Sequence, residues 1–121
     1  MTIGGTEFKI TKLTFDDDVR RILSLTTNTA LCVKSISNAL DIPITKCYRL
    51  VRQMEKRGML KKFESADNDV AIYQSNLRTI NFKIESDKLC INVEFNDGGK
   101  RVFEFSPRTP NQSNLTTVGA I

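Results

Sequence analysis

The positions of the apolar residues between Ser35 and Leu60 constrain the fold of this 121-residue chain more than any other feature. Apolar residues at helical spacing over residues 35–40 predict a short helix, and residues 41–43, Asp-Ile-Pro, have the composition of a turn. The periodicity of residues 43–58 predicts a longer helix, which Gly58 can close because glycine adopts the positive φ of a C-terminal cap. Two helices joined by such a short turn form the helix-turn-helix pattern.

The predicted second helix has two chemically different sides. Its apolar stripe, which we expect to pack in the core, consists of Cys47, Leu50, Val51 and Met54. Its other side is basic, and residues 44–62 together carry seven basic side chains and one acidic one. Residues 63–105, in contrast, carry five basic and eight acidic side chains. A positive field concentrated in one helix and the strand after it is typical of a phosphate-binding surface, and an ordinary solvated helix face is the alternative.

This stretch resembles the winged helix-turn-helix domains of bacterial and archaeal transcription regulators of the broad ArsR type. The similarity lies in the sequence Ile-Ser-Asn-Ala-Leu from Ile36, the tight turn, the Tyr48-Arg49 pair, and the sequence Met-Glu-Lys-Arg-Gly-Met-Leu that leads into a strand. It covers about residues 14–75. Asp41 stands where the family usually has glycine, but aspartate tolerates the left-handed conformation that such a turn requires. The resemblance implies three helices followed by a β-hairpin wing, and DNA binding with helix 43–58 in the major groove.

The candidate DNA contacts are the residues on the outward side of that helix and the lysines that follow it. They are Ile44, Thr45, Lys46, Tyr48, Arg49, Arg52, Lys56, Lys61 and Lys62. Arginine suits bidentate contact with guanine, lysine suits phosphate, and tyrosine or threonine suits phosphate or the thymine methyl group. The expected wing carries Glu64, Asp67 and Asp69, which would repel phosphate. We therefore do not expect the wing tip to contact the minor groove.

The N-terminal part of the chain is predicted to contain a strand and a helix. Residues 6–13 alternate apolar and polar side chains, which predicts a half-buried strand. A helix is predicted over residues 16–25, with Thr14 as a candidate cap and three aspartates in its first turn that suit the helix dipole. Residues 30–33 are expected to form the short strand that precedes the second helix in winged domains.

Alternating apolar residues from residue 77 to residue 105 predict an antiparallel β-meander, with a hairpin turn at residues 96–99, Asn-Asp-Gly-Gly. Winged domains usually have no such extension, and one of its faces is apolar and must be covered. We expect this face, with strand 6–13 as an edge, to form a homodimer interface, since two-fold-symmetric DNA sites are bound by dimers. The alternative is that helix 16–25 and strand 6–13 cover the face within one chain.

The predicted fold class is α+β, with a winged helix-turn-helix followed by the β-meander. We expect a single domain over residues 6–105 and flexible tails at residues 1–5 and 106–121. The chain has no apolar run near the roughly 18 residues needed to span a bilayer, and its first residues lack the apolar segment of a signal peptide. These features predict a cytoplasmic protein without a membrane partner.

The residue types present argue against an enzyme and against a metal or other cofactor. The chain has no histidine, and Cys32, Cys47 and Cys90 match no metal or redox spacing, so we expect buried thiols. The paired cysteines with which many ArsR-type proteins sense metals are missing. No catalytic constellation is recognisable. The predicted function is sequence-specific binding of double-stranded DNA by a transcription regulator, and the alternative is a winged-helix protein–protein interaction module in a transcription assembly.

Overall fold

Four helices precede five strands in the part of the chain that the computed structural model describes, residues 5–65 and 69–106. The helices are α1 (Gly5–Thr14), α2 (Asp17–Leu25), α3 (Val33–Leu40) and α4 (Ile44–Lys56). The strands are β1 (Leu60–Glu64), β2 (Ala71–Ser75), β3 (Leu77–Glu85), β4 (Lys88–Phe95) and β5 (Lys100–Phe105). The predicted α+β class is confirmed. Apart from Gly5 and Ser106, the predicted flexible tails lie outside the described residues.

The strands form two antiparallel sheets, the hairpin β1–β2 and the meander β3–β4–β5. The two strands predicted around a polar turn and the predicted β-meander are therefore confirmed. Within the described ranges, none of the helices is long and apolar enough to cross a bilayer.

The main core lies between α2, α3, α4 and the β1–β2 hairpin. The predicted apolar stripe of α4 is confirmed, since Cys47, Val51 and Met54 have no exposed area and Leu50 is 2% exposed. The prediction of buried thiols is confirmed for Cys47 and Cys90 and is wrong for Cys32, which is partly exposed. The Sγ of Cys47 donates to the backbone oxygen of Val33 at 3.7 Å. Burial raises the pKa of Cys47, which keeps this thiol protonated.

Local side-chain chemistry sets the helix ends near the turn between α3 and α4. Asp41 ends α3 with φ of 55°, the left-handed conformation expected of it. Gly58 follows α4 with φ of 82°, as predicted for a residue without Cβ. At α2 the predicted cap is wrong: Asp16, and not Thr14, accepts hydrogen bonds from the backbone nitrogens of the first turn at 2.8 and 3.3 Å. Thr14 is the last residue of α1, and its hydroxyl donates to a carbonyl oxygen of that helix.

The predicted strand at residues 6–13 is wrong, because these residues belong to helix α1. The segment is short, and its apolar residues fit two patterns equally well. They fit the period of two expected of a strand, and Ile10 and Leu13 fit the i, i+3 spacing expected of a helix. Packing decides between the two: Leu13 joins the main core, while Ile10 packs on the meander. The described residues therefore form four helices, where three were predicted.

The strand expected at residues 30–33 is reduced to a single bridge between Leu31 and Tyr73.

Helix α1 covers one end of the apolar face of the meander. Ile10 lies in a second core with Ile91, Val93 and Phe95, all at most 7% exposed. At the other end of the same face Phe82 is 40% exposed and Ile84 is 76% exposed. The predicted cover by helix 16–25 and strand 6–13 is wrong, because α1 covers the face and covers only part of it. The homodimer interface stays a prediction.

Asn76 joins the meander to the β1–β2 hairpin. Its side-chain nitrogen donates to the backbone oxygen of Gly58 at 3.0 Å and to Asp97 at 3.3 Å. The backbone nitrogen of Asn96 donates to the backbone oxygen of Asn76 at 2.6 Å. The side-chain nitrogen of Asn96 donates to the backbone oxygen of Ser75 at 3.1 Å. Asn76 is itself 6% exposed, and these partly buried bonds hold the meander against the end of α4.

Candidate nucleic-acid interface

The side of α4 opposite its core stripe is open to solvent and carries most of the predicted DNA contacts. Ile44 and Tyr48 are 47% and 54% exposed. The side chains of Thr45, Arg49, Arg52 and Lys56 are exposed as well. An open groove of about 640 Å³ runs along this side, lined by Tyr48, Arg49, Arg52, Gln53, Glu55 and Lys56. The 3.6-residue period thus separates a buried apolar side from a basic, aromatic-bearing side, as predicted.

Lys46 differs from the other predicted contacts on α4 because it forms an ion pair with an acidic residue of another helix. Its Nζ lies 2.7 Å from Oδ2 of Asp18, and Nη1 of Arg21 donates to Oδ1 of the same carboxylate at 2.9 Å. Asp18 therefore links α2 to α4. The hydrogen bonds from Lys46 and then Arg21 hold the pKa of Asp18 below its ordinary value. Lys46 can bind a phosphate only if its ammonium group contacts the phosphate and the Asp18 carboxylate together, or if its ion pair with Asp18 breaks.

We expect Asp18→Asn to make the free energy of unfolding less dependent on pH in the acidic range. Because the folded-state pKa of Asp18 is lowered, its stabilising contribution is present above the unfolded-state pKa and is lost as the pH falls through the folded-state value. The substitution should lower the free energy of unfolding by about 1 kcal/mol at pH 7 and flatten the decline below about pH 4. Urea unfolding between pH 2.5 and 7 measures both effects.

Asp17→Asn is the matched control, since Asp17 lies in the same first turn of α2 and is 86% exposed. Its ion pair with Arg20 is a surface pair, which contributes little. If the two variants had the same pH profile, the contribution of the link between α2 and α4 would be refuted.

Lys61 and Lys62 lie on opposite faces of the β1–β2 hairpin. Lys62 pairs with Tyr73, which is buried in the main core beside α4, so Lys62 shares the α4 side of the hairpin. Lys61 points to the other side, where its Nζ lies 3.6 Å from the carboxylate of Asp97. The two lysines therefore do not belong to one surface, and Lys62 alone of the pair lies on the face of the hairpin that packs toward α4. Successive side chains of a strand point to opposite faces, so the sequence predicts this difference between Lys61 and Lys62 once the strand is known.

The described part of the hairpin tip is acidic. Glu64 and Asp69 are both exposed at its two sides, and Asp67 lies outside the described residues. The expectation that this tip avoids phosphate remains a prediction.

A basic cleft between α1 and α4 was missed by the sequence analysis. It has a volume of about 350 Å³, and its lining includes Lys9 and Lys12 from α1 and Arg49, Lys56 and Arg57 from α4 and its C-terminal end. The alternation over residues 6–13 hid this cleft, because a strand would place Lys9 and Lys12 on different faces. A helical reading of the same residues puts the two lysines on one side, three positions apart.

No protein-family model matches the chain, and no curated protein matches it. The functional interpretation therefore depends on the shape and chemistry of the α4 surface, together with the sequence resemblance described above.

Proposed function

We propose that this protein is a sequence-specific double-stranded DNA-binding transcription regulator with a winged helix-turn-helix, acting in the cytoplasm and without catalytic activity. One observation carries the proposal: α4 buries one side completely and exposes Arg49, Arg52 and Lys56 on the other, next to Tyr48. A helix of this kind fits the major groove, whose base edges arginine can read. In this assignment α3 and α4 are the helix-turn-helix, and the β1–β2 hairpin is the wing.

The exposed residues of α4 have different expected roles. Arg49 and Arg52 lie at the middle of the exposed side, and we assign them to base edges, with bidentate contact to guanine. Lys56, in the last turn, is assigned to phosphate. Thr45 and Ile44, at the start of the helix, are suited to phosphate and to the thymine methyl group respectively.

The flanking lysines add phosphate contacts of unequal strength. Lys62 is exposed on the α4 side of the hairpin and is available to a phosphate. Lys46 is partly neutralised by Asp18, so we expect it to contribute less than Lys62. Lys61 faces Asp97 on the far side of the hairpin, and we omit it from the interface.

The test is a selection of bound sequences from random duplex DNA, followed by titration of the selected duplex at increasing salt. We expect enrichment of a defined site and an affinity that falls linearly on a log–log plot, with a slope of about −0.9 for each phosphate neutralised. A failure to enrich any sequence would refute DNA recognition. Salt-insensitive binding of a protein partner, together with that failure, would support the interaction-module alternative.

We propose further that the regulator binds as a homodimer. One copy offers a small number of cations from α4 and Lys62, and two copies on a symmetric site double them. The open end of the meander face is the proposed contact between copies. There Phe15 and Phe82 pack ring to ring at 5.4 Å, with Phe15 65% exposed and Ile84 76% exposed. A contiguous apolar patch of this kind is typical of an interface.

Sedimentation equilibrium at micromolar concentration tests the dimer. We expect a mass of twice 13.7 kDa for the wild type and a shift to 13.7 kDa for Ile84→Asp, because a buried unpaired carboxylate opposes association. Val102→Asp, a 63% exposed position on the opposite face of the same sheet, is the control and should remain dimeric. A wild-type protein that stays at 13.7 kDa and binds a single half-site would refute the dimer.

A further inference from the structure

Among the described side chains, five cations and one carboxylate line the basic cleft between α1 and α4. The cations are Lys9, Lys12, Arg49, Lys56 and Arg57, and the carboxylate is that of Asp16. Like charges collected around one cavity repel each other, so the cleft has a strong positive potential that an anion would relieve.

The carboxylate of Asp16 also caps a helix. Oδ1 of Asp16 accepts hydrogen bonds from the backbone nitrogens of Asp18 and Val19 and so caps α2. The ion pairs among the side chains of residues 9–65 and 69–106 include none of the five cations. Most of the positive charge in the cleft is therefore without a counter-charge from the described chain.

The cleft is continuous with the proposed DNA-reading surface. Arg49, Gln53 and Lys56 line both the cleft and the groove along the exposed side of α4. An α-helix with its side chains is about 10–12 Å across, which nearly fills the major groove of about 12 Å. An element packed beside the inserted helix therefore meets the phosphodiester strand that borders the groove, and α1 is such an element.

We propose that the α1–α4 cleft binds the phosphodiester strand bordering the major groove that α4 enters, with Lys9 and Lys12 as phosphate contacts. This inference rests on the proposed function and extends the DNA footprint to a helix that lies outside the helix-turn-helix. Phosphate contacts carry no base information, so α1 sets the position and orientation of α4 on the duplex and leaves the sequence preference to Arg49 and Arg52.

The test compares Lys9→Gln/Lys12→Gln with the wild type on a selected and a scrambled duplex over a range of salt. We expect the double variant to bind both duplexes about tenfold more weakly at moderate salt, with the ratio between them unchanged. The slope against salt should be shallower by about 2, close to one unit for each lysine.

Two further variants control for net charge and for folding. Lys83→Gln/Lys100→Gln removes the same charge from exposed positions on the meander, and it should change the slope far less. Lys9→Arg/Lys12→Arg keeps both charges in the cleft and should retain the wild-type slope. Retention there would show that loss of charge, and not disturbance of α1, causes the effect in the glutamine variant.

The outcomes separate this inference from the proposed function. If Lys9→Gln/Lys12→Gln bound both duplexes as tightly as the wild type, the proposed role of the cleft would be overturned. DNA binding by α4 would remain intact. A loss confined to the selected duplex would also overturn it, since phosphate contacts act on every sequence. Inorganic phosphate that displaces duplex far better than chloride at equal ionic strength would assign the cleft to free phosphate instead. A wild type that binds no duplex overturns both proposals.

Discussion

Arg49→Ala/Arg52→Ala should bind its selected duplex about 30-fold to 25,000-fold more weakly than the wild type and should lose most of its preference over scrambled DNA. Each arginine is exposed on the α4 surface, and loss of one base contact costs about 1–3 kcal/mol, so the pair together accounts for about 2–6 kcal/mol. Titration of both duplexes at one fixed salt concentration measures the loss and the change in preference.

The expected pattern distinguishes base reading from simple loss of charge. Arg78→Ala/Arg101→Ala removes two exposed arginines from the meander and should leave the preference for the selected duplex intact. Lys56→Ala should weaken binding to both duplexes by the same factor, because a phosphate contact is independent of sequence. If the double variant of α4 bound the selected duplex as tightly as the wild type, α4 would not lie in the interface.

Ile10→Ala should lower the free energy of unfolding by about 2–5 kcal/mol, the range for removing a buried aliphatic side chain from a packed core. Ile10 is 1% exposed and packs from α1 on Ile91, Val93 and Phe95. The substitution leaves a cavity between helix and sheet that neither element can easily close. Urea denaturation monitored by circular dichroism measures the loss.

Ile44→Ala is the matched control for that measurement. It deletes the same atoms from a helix, but Ile44 is 47% exposed, so the loss should stay below about 1 kcal/mol. Equal losses for the two variants would mean that α1 is not packed on the meander, and the basic cleft beside α4 would then lose its support as well.

The local chemistry of the sequence was sufficient to predict α3, α4, the β1–β2 hairpin and the meander. Asp41 and Gly58 fill positions that need positive φ, and the residues at 96–99 form the hairpin turn expected of them. The faces of α4 were predictable because a 13-residue helix shows its period several times over. The exposure of Arg49, Arg52 and Lys56 follows from that period alone.

The tertiary structure determined the conformation of short segments and the contacts between residues that are far apart in the sequence. Residues 6–13 are too few to distinguish a period of two from a period of 3.6, and the packing of Ile10 on one core and Leu13 on the other selects the helix. That choice brings Lys9 and Lys12 to α4 and creates the basic cleft. Lys46 and Asp18 are separated by 28 residues, and their contact depends on how α2 packs against α4. Local pattern determines helix and strand faces, but which faces meet is determined by burial of apolar area across the whole chain.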